Sequence, residues 1–74
     1  MIDMKKTGAN INRYRVDRGF TVLDLAEKLQ VTRAAVYKWI YGNNMPTVDN
    51  FVELAQLLDT TIDNLIIAEV KVKK

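Results

Sequence analysis

Apolar residues recur at helical spacing in several short stretches of this chain, separated by capping residues and stops. The clearest pair lies between Thr21 and Gly42. Leu25, Ala26 and Leu29 share one face of a first stretch. Thr21 precedes it and Asp24 follows three residues later, a capping-box spacing in which each residue satisfies a free backbone N–H of the other. Val36, Trp39 and Ile40 share one face of a second stretch, with Thr32 placed to cap it and Gly42 to stop it. Gln30 and Val31 leave almost no loop between them. Two helices joined so tightly pack only at a steep angle, which is the geometry of a helix-turn-helix.

The flanking sequence extends this to five helices. Residues from Asp3 to Arg18 predict a first helix capped by Asp3, with Ile11 and Tyr14 on its apolar stripe, Met4 and Val16 as weaker members, and Gly19 as its stop. Gly8 sits inside that pattern, where glycine costs about 1 kcal/mol against alanine; either the helix begins after it or another helix packs closely there. Phe20 is expected to anchor the following turn in the core. Asn43 and Asn44 suit a turn, Pro46 closes the loop, and Thr47 caps a fourth helix with Val48, Phe51, Leu54, Ala55 and Leu58 as its stripe. Thr60 or Thr61 caps a short fifth helix with Ile62, Leu65 and Ile66 inward. The fold class is therefore all-α, a compact bundle of five short helices. Residues 1–67 form the domain. Residues 68–74 alternate apolar and charged side chains, a strand-like tail that is either frayed or paired with something.

Composition narrows what such a bundle does. Seventy-four residues make one small domain, which buries only about 60% of its unfolded surface, so every helix must contribute to the core. The chain has no His, Cys or Ser, which removes the usual general base, nucleophiles and zinc ligands and argues against an enzyme, a metal or a cofactor. No apolar run reaches the length of a membrane span and no signal-peptide pattern heads the chain, so a cytoplasmic protein is expected.

Net charge is only +2, but its distribution is uneven. Residues 1–45 hold eight Lys or Arg and four Asp or Glu, whereas residues 46–70 hold five acids and no base. No acid falls between Lys28 and Asp49. The second helix of the pair turns Thr32, Arg33, Ala34, Tyr37 and Lys38 away from its apolar face. A cationic helix face of this kind fits a groove lined with phosphates.

The same residues carry a family resemblance. The run Thr21, Leu25, Ala26, Leu29, Val31, Thr32, Val36, Trp39, Gly42 and Pro46 resembles the Cro/C1-type (XRE-like) helix-turn-helix family of small repressors. The likeness reaches back to Ile11, Arg15 and Gly19 and forward through Phe51, Leu54, Ala55, Leu58 and Ile62 to Leu65. It implies a lambda-repressor-like DNA-binding domain. It also implies that Arg33, Ala34 and Lys38 stand at the family's base-reading positions, and that the loop holding Asn43 and Asn44 meets the DNA backbone.

Each position has an alternative reading. Arg33 either bonds two acceptors of a guanine or is solvated. Ala34 offers only an apolar contact, for instance with a thymine methyl. Thr32 caps its helix or touches a phosphate, Tyr37 touches the sugar–phosphate backbone or leans on Arg33, and the two asparagines bond phosphates or simply make the turn.

Three departures from the family pattern stand out. Val22 replaces a glutamine that contacts the DNA backbone. Gln30 replaces a glycine and must bear any left-handed strain. Ile40 replaces a glutamate that pairs with an arginine such as Arg15, leaving Arg15 free for the DNA backbone or for solvent.

The function expected is a sequence-specific regulator of transcription, a repressor that binds double-stranded DNA with its second motif helix in the major groove and acts by occlusion. The alternative is a protein–protein module of the same fold, such as an antitoxin or accessory regulator, with weak or no DNA binding. Because one short helix reads only a few base pairs, a homodimer joined through the C-terminal part is expected, with Ile66 and Ile67 and the tail's Val70 and Val72 as its surface.

Overall fold

The computed structural model describes residues 1–69. Among them run α1 (Met4–Asp17), α2 (Val22–Leu29), α3 (Arg33–Ile40), α4 (Val48–Leu57) and α5 (Ile62–Leu65). Every helix begins at the residue chemistry favours. The side chains of Asp3, Thr21, Thr32, Thr47 and Thr61 each accept a hydrogen bond from the backbone N–H three residues on.

Ile11, Leu25, Leu29, Val36, Trp39, Phe51, Leu54, Leu58 and Leu65 form one buried cluster drawn from all five helices. Tyr14 and Phe20 pack against it half-buried, as do Ile62 and Ile66. Pro46 is buried beneath the loop that it closes. Met4, Val16 and Val48, read from spacing as members of apolar stripes, are instead exposed. They stand at or near helix ends, where the chain turns before a neighbouring helix can cover them.

Gly8 lies inside α1 and explains itself by contact. A Cβ built there would collide with the carbonyl oxygen of Trp39 and lie 2.6 Å from that of Ile40. The backbones of α1 and α3 thus meet at this residue, which sets how closely α3 is held to the core. Gly42 has a φ of +75°, and a Cβ on it would lie 2.7 Å from the Lys5 Cα, so this helix stop is also pressed against the first turn of α1.

Two buried polar side chains fasten α5 to α1. Thr7 Oγ1 donates to the Ile67 carbonyl (3.2 Å) and accepts from the Ile67 N–H (2.9 Å). Asn10 Nδ2 donates to the carbonyls of Asn64 and Leu65, while its Oδ1 accepts from Arg13. The carbonyls left free at the end of a four-residue helix are thereby satisfied. Beyond them the chain pairs with its own beginning. Ile2 and Ala68 form an isolated antiparallel bridge, with Asp3 N–H donating to Ile67 (2.8 Å) and Glu69 N–H to Met1 (2.9 Å). Residues 68 and 69, read as the start of a frayed or dimer-forming tail, therefore pair within the chain. Val70 and Val72 lie outside the described residues.

Candidate nucleic-acid interface

The α2–α3 turn is built from backbone geometry that the sequence only hinted at. Gln30 caps α2 in the left-handed region, with φ 56° and ψ 44°. The Val31 N–H returns to the Ala26 carbonyl at 3.0 Å, and Val31 packs half-buried against the core. Thr32 Oγ1 then accepts from the Ala35 N–H at 3.1 Å and starts α3. The cap reading of Thr32 is thus realised, and its hydroxyl proton remains available to an acceptor.

Thr21 and Asp24 form the expected reciprocal box at the start of α2: Thr21 N–H donates to Asp24 Oδ2 (2.8 Å) and Asp24 N–H to Thr21 Oγ1 (3.0 Å). Hydrogen bonds from the Thr21 backbone and side chain, with the charge of Lys28, hold the Asp24 carboxyl below its ordinary value of 3.8. A carboxyl whose pKa is lowered by folding stabilises the fold above its unfolded value and loses that contribution as pH falls through the lower, folded value. Asp24→Asn is therefore expected to lower the thermal midpoint at pH 7, and the gap to the unaltered protein should close well below pH 3.8. Melting curves followed by circular dichroism across that range check it; a gap independent of pH would remove the carboxylate from the account.

On α3 the division of faces is clear. Val36 and Trp39 are buried, whereas Arg33, Ala34, Tyr37 and Lys38 are exposed, together with the capping Thr32. The ring of Tyr37 stacks on that of Tyr41, with centroids 6.2 Å apart and planes within 13°. Tyr41 is 64% exposed and was not among the residues singled out from sequence, although its spacing of four from Tyr37 places it on the same face. The loop after α3 is closed by the N–H groups of Asn43 and Asn44, both donating to the Lys38 carbonyl. Asn44 Oδ1 accepts from the Met45 N–H at 2.8 Å, which is turn chemistry, and the side chain of Asn43 is exposed. Lys5 is held against Gly42, at the start of this loop, by the docking of α1.

Arg15 is placed differently from expectation. It is not left free by the absence of a glutamate at Ile40. Its Nε and Nη2 donate to Asn12 Oδ1 (3.0 and 2.8 Å) and its Nη1 to the Phe20 carbonyl (2.8 Å), clipping the end of α1 to the residue before the α2 cap. Two N–H groups remain for any other acceptor. Arg18 likewise donates to the Leu58 carbonyl (2.9 Å), and both Arg13 and Arg18 lie over the Tyr14 ring. Two of the cations that give the N-terminal half its charge, Arg15 and Arg18, therefore also tie α1 to its neighbours, while the contacts of Arg13 stay within α1.

This arrangement, two capped helices joined through a left-handed residue with a cationic outer face on the second, corresponds to a known family. A family model described as helix-turn-helix matches residues 11–65, most of the chain. The chain belongs to the Cro/C1-type helix-turn-helix family. It is accordingly a DNA-binding regulator of transcription and not an enzyme.

Solved structures share the fold. The restriction-modification controller protein C.AhdI from Aeromonas hydrophila superposes with a TM-score of 0.78 at 25% identity, over 85% of this chain and 96% of that one. The N-terminal DNA-binding domain of SinR from Bacillus subtilis gives 0.74 at 22% identity, over 82% and 90%. A transcriptional regulator from Listeria innocua gives 0.76 at 25% identity, over 88% of this chain and 63% of that one. No curated protein matches. Among the described residues no helix is long and apolar enough to cross a membrane.

Proposed function

We propose that the protein is a sequence-specific repressor that lays α3 in the major groove of double-stranded DNA and blocks access to the promoter by occlusion. The observation that carries this reading is the outer face of α3: Arg33 and Lys38 stand exposed there while the opposite face fills the core. Arg33 and Lys38 read base edges with Ala34 beside them. Thr32, Tyr37, Asn43 and Asn44 meet the sugar–phosphate backbone, and Arg15 reaches a phosphate only with the two N–H groups it does not spend on Asn12 and Phe20. Selection from random oligonucleotides with the purified protein tests the reading and yields the site together. Failure to enrich any sequence would favour the alternative, a protein–protein module of the same fold.

Binding should depend strongly on salt. With Lys5, Arg33 and Lys38 as the cations nearest the groove and about three phosphates neutralised per subunit, log K should fall against log salt with a slope of about −3 per subunit. Anisotropy titrations between low and moderate salt measure it. A flat titration would mean that phosphates are not neutralised.

The working unit is proposed to be a two-fold dimer reading half-sites about 34 Å apart. Ile66 and Ile67 are half-buried, so the surface available on the C-terminal side is widened by the N-terminal residues bridged to it, Met1 at 101% and Ile2 at 41% exposure. Sedimentation of the full chain and of a chain ending at Ile67 should show a dimer that weakens on truncation. A monomer at tens of micromolar in both would leave dimerisation to the DNA.

A further inference from the structure

The outward face of α3 is not simply cationic. Ala34, Tyr37 and Tyr41 are spaced at i, i+3 and i+7, so they share one face of the helix, and all three are exposed. Arg33 and Lys38 project on either side of this strip. The inward face is separately filled, by Val36 and Trp39 fully and by Ala35 and Ile40 in part. The helix thus has two apolar faces. The outer one is not an overflow of the core, because among the described residues none covers it.

The outer strip is also preorganised. The Tyr37 and Tyr41 rings stack nearly parallel, 13° apart, so each restricts the other's rotamers before any partner arrives. A partner for this surface must offer apolar groups along its middle and anions along both edges. The major groove of DNA does so where its floor carries thymine, whose C5 methyl projects there, and its rims carry phosphates.

We propose that Ala34 and the Tyr37 ring read pyrimidine C5 methyl groups, so that the preferred site places thymines under this strip beside the base pair read by Arg33. Tyr41 is a positioning residue that holds the Tyr37 ring from behind. The inference rests on the DNA-binding reading above. The Tyr37 hydroxyl, at the far end of the ring, stays free to meet the backbone. Withdrawing one methyl-sized group from water against an apolar surface is worth about a four-fold change in affinity.

The test uses the site obtained by selection and replaces its thymines one at a time with deoxyuridine, which lacks only the methyl. The full chain should bind about four-fold more weakly at one or more of these replacements. Tyr37→Ala should bind thymine and deoxyuridine forms alike at that position, Tyr41→Ala should narrow the difference, and Tyr41→Phe, which keeps the stack, should preserve it. Specific binding that ignores every replacement would overturn the methyl reading and leave the DNA-binding reading intact. So would a thymine preference unchanged both in Tyr37→Ala and in Ala34→Gly, since the methyl would then act through the DNA alone. Absence of any specific DNA binding would overturn both.

Discussion

Replacing Gly8 with alanine is expected to destabilise the domain by about 3 kcal/mol, the upper range for forcing extra volume into a packed interior. The direction is opposite to what helix propensity gives, since the same change in an isolated helix is worth about 1 kcal/mol of stabilisation. The difference comes from α3. The new methyl would meet the carbonyls of Trp39 and Ile40, and these are backbone atoms of a neighbouring helix that no rotamer change can move aside. Relief requires α1 and α3 to separate, which opens the cluster around Ile11, Val36 and Trp39. A domain of this size has only a few kcal/mol to lose. Urea denaturation of Gly8→Ala should therefore show a much lower midpoint, with DNA binding lost alongside it. A variant as stable as the parent, or more so, would mean that the two helices do not approach as closely as described.

Arg33→Ala is expected to cost about 1–3 kcal/mol on the specific site and to relax the preference at one base pair. Arg33 is exposed in the first turn of α3, beyond the core-facing Val36, and its removal leaves no cavity. Stability should accordingly stay within about 0.5 kcal/mol of the parent, which separates this effect from that of Gly8→Ala. Binding to the selected site, to single-base variants of it and to random DNA measures the effect. Equal losses on specific and random DNA would make Arg33 a phosphate contact instead of a base reader.

Local pattern was enough for the helices themselves. The caps Asp3, Thr21, Thr32 and Thr47, the box between Thr21 and Asp24 and the buried faces of α2 and α3 are all set by residues within a few positions of one another, so spacing alone carries them. The left-handed Gln30, by contrast, was expected only from the glycine that the resembled family carries there. The exposed face of α3 followed from the same periodicity. Tyr41 was equally accessible at that level, through its spacing from Tyr37, and was missed because it stood beside the helix stop.

What tertiary structure decided concerns residues brought together from far apart in the chain. Gly8 is required by carbonyls some thirty residues on, and Lys5 lies beside the loop after α3 only because α1 docks there. Asn10 and Thr7 are polar residues of α1 whose role is visible only once α5 arrives with backbone groups for them to bond. Arg15 has the charge of a phosphate ligand, but the Phe20 carbonyl and Asn12 compete for its donors at distances that only the folded turn defines. The start of the tail has a strand-like alternation whose partner the pattern does not name. That partner is the chain's own N-terminus, because α1 and α5 pack side by side and leave the two ends with complementary backbone groups. Periodicity determines which face of a helix is buried. It does not determine what that face meets, because a long-range contact depends on how all five helices pack at once.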